Sequence, residues 1–124
     1  MHYLLDTHIF LWWLNATNKL AQPLQMVIQD PNNYIYISTA TAWEISIKHR
    51  TGKLPLKTTI SEMISISGFQ VLPITLPHIL QLEKLPVHHN DPFDRILIAQ
   101  AKEENLILIT DDSKIKQYDV KVFL

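Results

Sequence analysis

The sequence predicts an α/β fold, a three-layer α/β/α arrangement around a mostly parallel sheet of about five strands, and three observations carry that prediction. Short β-branched or aromatic runs alternate with longer stretches of helical periodicity, the pattern of strand–helix–strand crossovers. The run LILI (106–109) is apolar throughout, and HYLL (2–5) is so after His2. Strands in the middle of a parallel sheet are covered on both faces and read in this continuous way. Seven prolines, at 23, 31, 55, 73, 77, 86 and 92, punctuate the chain.

Taken in order, the strands are HYLL (2–5), YIYIS (34–38), FQVLPI (69–74), LILI (106–109) and VKVF (120–123), each bounded by breakers. Helices fit about 8–14, 20–30, 41–50, 58–67, 75–84 and 92–104, with Gly52 placed where a helix C-terminus favours glycine. Thr41 to Glu44 reads as a capping box, Thr41 as N-cap and Glu44 in the first turn. Asp91-Pro92-Phe93-Asp94 reads as a second helix start, Asp91 capping and Pro92 opening the helix. Trp12 and Trp13 lie 100° apart on the first helix, so one of them should reach outward, where it would suit a protein interface.

Composition narrows the function classes. The 124 residues form one domain (1–124), 47% hydrophobic and 19% charged, which excludes disorder, and no apolar run is long enough to span a membrane. The absence of cysteine excludes disulfides and thiolate metal sites. With an N-terminus that lacks a basic leader, it points to the cytoplasm. A formal charge of −1 gives no general basic footprint, so a polyanion would have to be handled locally. The only glycines are Gly52 and Gly68, which leaves no phosphate-cradling loop.

The acids carry the chemistry. Asp6 directly follows the first strand, Glu44 lies early in the helix after the second, Asp94 in the first turn of the helix before LILI, and Asp111 and Asp112 directly after it. Capping, or a Glu44–Lys48 pair, accounts for each singly. Parallel topology nevertheless gathers strand C-termini and the following helix starts on one edge, where such folds bind ligands. Four carboxylates at about 6 Å would repel by nearly 3 kcal/mol per pair at an effective dielectric of 20, against about 1 kcal/mol from an N-cap. A counter-ion is required, and oxygen donors select a hard cation, Mg²⁺ or Mn²⁺. Such an ion supports phosphodiester hydrolysis by neutralising charge and activating water.

LLDTH (4–8), STATAWEISIK (38–48), HHNDPFDRILIAQA (88–101) and LITDDSKIKQYDVKVF (108–123) together resemble the PIN domains, and more narrowly the VapC-like toxins of bacterial toxin-antitoxin pairs. The resemblance covers essentially the whole chain. It implies a metal-dependent ribonuclease, usually a homodimer, inhibited by a small antitoxin protein that enters the acidic groove. The matching positions make Asp6, Glu44, Asp94 and Asp112 the catalytic and metal-holding quartet. Asp112 matches the aspartate of the family's Thr-x-Asp, and Asp111 falls in its variable middle slot. His8 stands where many relatives carry Asn or Ser.

Around the quartet, Thr7, Thr110 and Asp111 are expected beside the ligands. Arg95, Lys48, Arg50 and Lys53 are candidates for the RNA backbone, although Arg95 could equally pair with a surface acid and the basic stretch 48–53 suits a helix C-terminus. His88 and His89 are not counted as ligands, since adjacent histidines in a polar loop seldom meet on one ion. Two other classes compete. A receiver-type phospho-acceptor domain would want an acid pair after the first strand and a lysine after the last. A non-catalytic binding module would use the acids only as caps.

Overall fold

The computed structural model describes residues 1–123. They form strands β1 (His2–Leu5), β2 (Tyr34–Ser38), β3 (Gln70–Leu72), β4 (Ile107–Ile109) and β5 (Val122–Phe123), and helices α1 (Thr7–Asn15), α2 (Gln22–Gln29), α3 (Thr39–Arg50), α4 (Ile60–Ser67), α5 (Leu76–Glu83) and α6 (Pro92–Glu103). Short 3-10 turns occupy Thr17–Lys19 and Ile115–Gln117. All four strand pairings are parallel, in the order β3-β2-β1-β4-β5. β1 is central, with Leu4 opposite both Tyr36 and Leu108. A receiver-type domain has the different order 2-1-3-4-5, so that alternative is excluded.

Two cores follow from the two-residue period of the strands. Tyr3, Leu5, Ile35, Ile37 and Ile109 point to one face, where Ile9 and Phe10 of α1, Leu24 and Ile28 of α2, Ile45 of α3 and Met63 of α4 cover them. Leu4 and Leu108 point to the other, against Ile96, Leu97, Ile98 and Ala101 of α6, Ile115 and Tyr118. The two central strands are therefore apolar at every covered position.

Element boundaries differ from the sequence reading where local chemistry overrides periodicity. α3 starts at Thr39, not Thr41, because Ser38, the last residue of β2, accepts the Ala40 N–H at 2.9 Å and caps the helix without an intervening loop. Thr41 and Glu44 are consequently inside α3, and the expected capping box does not form. α2 begins only at Gln22, with a 3-10 turn before it and Pro23 in its first turn. Thr59 caps α4 through the Glu62 N–H at 3.1 Å. β3 is a short, partly exposed edge strand that stops before Pro73, which has no N–H to continue a ladder. Gly68 ends α4 at φ +71° and Gly52 turns the chain after α3 at φ +77°, a region costly for residues with a Cβ.

The outward-reaching tryptophan is also a different one. Trp12 and Trp13 are both half-buried against the first core, whereas Trp43 on α3 is 60% exposed and meets Phe93 of α6 edge-on, ring centroids 5.1 Å apart. The wide apolar face of α1 takes in both adjacent indoles.

Candidate functional site

The chain order of the sheet reverses at β1: β2 and β3 extend on one side, β4 and β5 on the other. A crevice for ligands opens beyond the strand C-termini at such a switch point. Leu5 and Ile109 end the two adjoining strands in register, and the Asp6 N–H bonds the Ile109 carbonyl at 3.0 Å, which fixes Asp6 and Thr110 side by side.

Asp6 caps α1, its Oδ1 accepting the Ile9 N–H at 2.9 Å. Only 3% exposed, its carboxyl is pushed up to about 6 by burial, against the lowering effects of the Thr110 side chain and the Ile9 N–H and with a further upward push from Asp111. Asp94 lies in the first turn of α6, whose N-cap is Asp91, accepting from the Phe93 N–H at 2.9 Å. Burial is the main reason its carboxyl rises to about 7; Asp91, Asp6 and Glu44 add negative charge, and His89 opposes them. Neither Asp6 nor Asp94 has a lysine or arginine ion-pair partner among the described residues.

Glu44 is 4% exposed in the second turn of α3. Thr7 Oγ1 donates to its Oε1 at 2.7 Å and lies 3.2 Å from Thr41 Oγ1, so α1 and α3 are tied together below the carboxylate. Lys48 Nζ meets Oε2 at 2.8 Å, the i,i+4 pair considered from the sequence. Among the described residues Glu44 is thus the one acid of the quartet with an ammonium partner. Asp112 follows β4 in a tight turn, its Oδ1 accepting the Lys114 N–H at 2.9 Å and its own N–H donating to Thr110 Oγ1 at 3.1 Å. Partial burial alone would raise Asp112, but the Lys114 N–H and the His89 imidazole hold it below the ordinary carboxylate value.

His89 is what the sequence reading missed. Its Nε2 lies 2.9 Å from Asp112 Oδ2 and 3.0 Å from Asp94 Oδ2, and the ligand atoms of these three side chains fall within 4.8 Å of one another. A signal was present: His89 stands two residues before the N-cap of the helix that carries Asp94, close enough to fold back on its first turn. His88 instead packs edge-on against Tyr118.

The remaining expected residues divide. Thr7 touches Glu44, and Thr110 accepts the Asp112 N–H and lowers the Asp6 carboxyl, whereas Asp111 is exposed and acts on Asp6 only through its charge. Arg95 has no acid partner among the described residues; its Nη1 donates to the Pro86 carbonyl at 2.9 Å and to Tyr118 Oη at 3.2 Å, strapping down the loop before α6. Arg50 and Lys53 are exposed at and beyond the end of α3, Arg50 about 9 Å along the helix axis from Glu44. His8 is exposed beside Trp12.

The donor set fits a divalent cation. Asp94 and Asp112 both ionised within 4.8 Å repel by roughly 3 kcal/mol at an effective dielectric of 20, and buried Asp6 has no lysine or arginine ion-pair partner among the described residues. Carboxylate oxygens at one edge of the sheet are the donors that hard ions take.

Fold and site together define a parallel α/β protein with an acid-lined strand edge. A sequence profile of the PIN domain family matches residues 3–121, and the chain belongs to that family. Its fold is similar to VapBC2 from Rickettsia felis, solved bound to a DNA fragment from its promoter (TM-score 0.75, 20% identity, 99% of this chain and 98% of that one). It is also similar to VapBC-1 from nontypeable Haemophilus influenzae (TM-score 0.65, 22% identity, 99% and 97%). VapBC-5 from Mycobacterium tuberculosis, of the VapBC family of toxin-antitoxin systems, gives 0.61 at 20% identity over 98% and 95%. No curated protein matches the chain by sequence. Among the described residues no helix is long and apolar enough to cross a membrane.

Proposed function

We propose that this chain is an endoribonuclease dependent on Mg²⁺ or Mn²⁺, the toxin of a toxin-antitoxin pair, with Asp6, Glu44, Asp94 and Asp112 as its acidic quartet. One observation carries the reading: desolvated Asp6 and Asp94, without lysine or arginine partners among the described residues, stand with Asp112 at the switch point of the sheet. A protein that needed these acids only as helix caps would have no reason to withdraw two of them from water without a lysine or arginine beside either among the described residues.

Asp6, Asp94 and Asp112 would hold the ion. When bound, a divalent cation supplies charge neutralisation for the phosphodiester and activation of water. Glu44, already paired with Lys48, holds its carboxylate at the rim through Thr7. Lys48, with Arg50 and Lys53 further along, offers positive charge for the RNA backbone, and Arg95 orders the loop beside the acids. The partners that go with this reading are an RNA substrate, a small antitoxin and a second copy of the chain, in the cytoplasm.

Incubation of the purified protein with tRNA, rRNA and mRNA, with and without Mg²⁺ or Mn²⁺, tests it. Metal-dependent cuts at mapped positions are expected for the wild type and not for Asp94→Asn; equal cutting by the variant rejects the assignment. The Glu44–Lys48 pair favours the competing view that the acids are structural. That view predicts no saturable rise in melting temperature with either metal.

A further inference from the structure

We propose that His89 is a positioning residue whose Nε2–H bridges the carboxylates of Asp94 and Asp112 and leaves the metal site with oxygen donors only. The proposal rests on the nuclease reading for its metal and on hydrogen-bond geometry for the rest.

The decisive atom is the other ring nitrogen. The Asp91 backbone N–H donates to His89 Nδ1 at 3.1 Å. A nitrogen that accepts must present its lone pair, so in the neutral ring the proton sits on Nε2. Nε2 faces Asp112 Oδ2 at 2.9 Å and Asp94 Oδ2 at 3.0 Å, both acceptors. One N–H is therefore shared between an acid from the first turn of α6 and an acid from the turn after β4. With its proton in place Nε2 has no lone pair for a metal, and freeing one would strip the Asp91 amide of its acceptor. The three-residue cluster resembles a mixed nitrogen–oxygen metal site, but its tautomer makes it two oxygen ligands and a clamp.

The clamp is itself held. The His88 and His89 N–H groups donate to Tyr118 Oη at 3.0 and 2.9 Å, and Arg95 reaches the same oxygen and the Pro86 carbonyl. Tyr118 is 4% exposed, packed in the core that α6 covers. The loop between α5 and α6 is thus fastened to the C-terminal segment and to α6, and His89, only 11% exposed at its side chain, inherits that fixed position.

Two consequences separate a donor from a ligand. Loss of an outer hydrogen-bond partner typically weakens metal binding about 10- to 100-fold, and a replacement that keeps an N–H should restore it. An oxygen-only site also keeps its preference for hard ions.

Mn²⁺ binding to the full chain, followed by EPR, tests the inference with wild type, His89→Ala and His89→Gln. Binding about 10- to 100-fold weaker is expected for H89A and within about threefold of wild type for H89Q, whose amide can donate. Pulsed EPR of the wild-type complex should show no directly bonded histidine nitrogen. A nitrogen coupling lost in H89A, or Mn²⁺ affinity in H89A equal to wild type, or H89Q as weak as H89A, overturns the proposal. ¹⁵N NMR of the metal-free protein supplies an independent reading: the proton is expected on Nε2, and a proton on Nδ1 rejects the bridge. Failure of the wild type to bind Mn²⁺ at all instead rejects the nuclease reading, while the NMR result still decides the role of His89 toward the two acids.

Discussion

Asp94 concentrates the residue-scale argument, because burial and neighbouring acids raise its carboxyl to about 7 and no lysine or arginine is paired with it among the described residues. Asp94→Asn keeps the size of the side chain and removes the charge. Cleavage is expected to fall by more than the roughly 100-fold that loss of an outer partner costs. In EDTA the same variant should melt higher than wild type, since it no longer buries an ionisable group; a lower melting temperature contradicts the charge argument. Asp91→Asn is the contrast, because Asn caps a helix as well as Asp does, and both activity and melting temperature should stay near wild type. Thr7 acts through Glu44, so Thr7→Val, which loses the 2.7 Å bond but keeps the shape, should weaken metal-dependent cleavage about 10- to 100-fold without unfolding the chain.

At the scale of elements, the helix starts decide where the acids stand. Ser38 lets α3 follow β2 without a loop, which carries Glu44 into the second turn and under Thr7. Ser38→Ala should cost about 1 kcal/mol of stability, read from urea unfolding at unchanged m-value. Gly68, at φ +71° with open space around its missing Cβ, ends α4, and Gly68→Ala should cost about 1 kcal/mol from backbone strain alone. The Asp91-Pro92 start of α6 was legible in the sequence because a local cap and a proline at the first helical position fix it together. The start of α3 was not, because two hydroxyls, Ser38 and Thr41, competed for one role. Ser38 is still in register with Leu72 of β3, so the strand runs up to the first of them and the helix starts directly after it.

The whole molecule shows how the acid edge weighs on stability. Asp6 and Asp94 ionise at about 6 and about 7 in the folded chain, above the ordinary 3.8. The folded state therefore binds more protons than the unfolded state between about pH 4 and 7, and metal-free stability falls as pH rises through that window. Asp112, shifted the other way, contributes stability that is lost only as the pH drops below its ordinary range. Thermal melts in EDTA from pH 4 to 8 should show the fall, and saturating Mg²⁺ or Mn²⁺ should reverse it, because the ion binds the ionised carboxylates. A metal-free melting temperature that rises steadily across this range contradicts the buried-acid account.

The sequence by itself determined the layer architecture, the parallel sheet, the two central strands and the edge to which its acids would be drawn. Hydrophobic period, proline placement and strand ends are local properties, and parallel topology converts them into a shared rim. Tertiary structure alone decided which groups touch across that rim. Glu44 took Thr7 in addition to the Lys48 that helical spacing offered, Arg95 turned to a loop carbonyl and Tyr118, and His89, set aside as one of two adjacent loop histidines, reached both Asp94 and Asp112. Those choices depend on side-chain directions, which local hydrogen bonds and contacts between segments distant in sequence set together. The proton on His89 Nε2 is set by the Asp91 amide, and the place of its loop by Tyr118, 29 residues away.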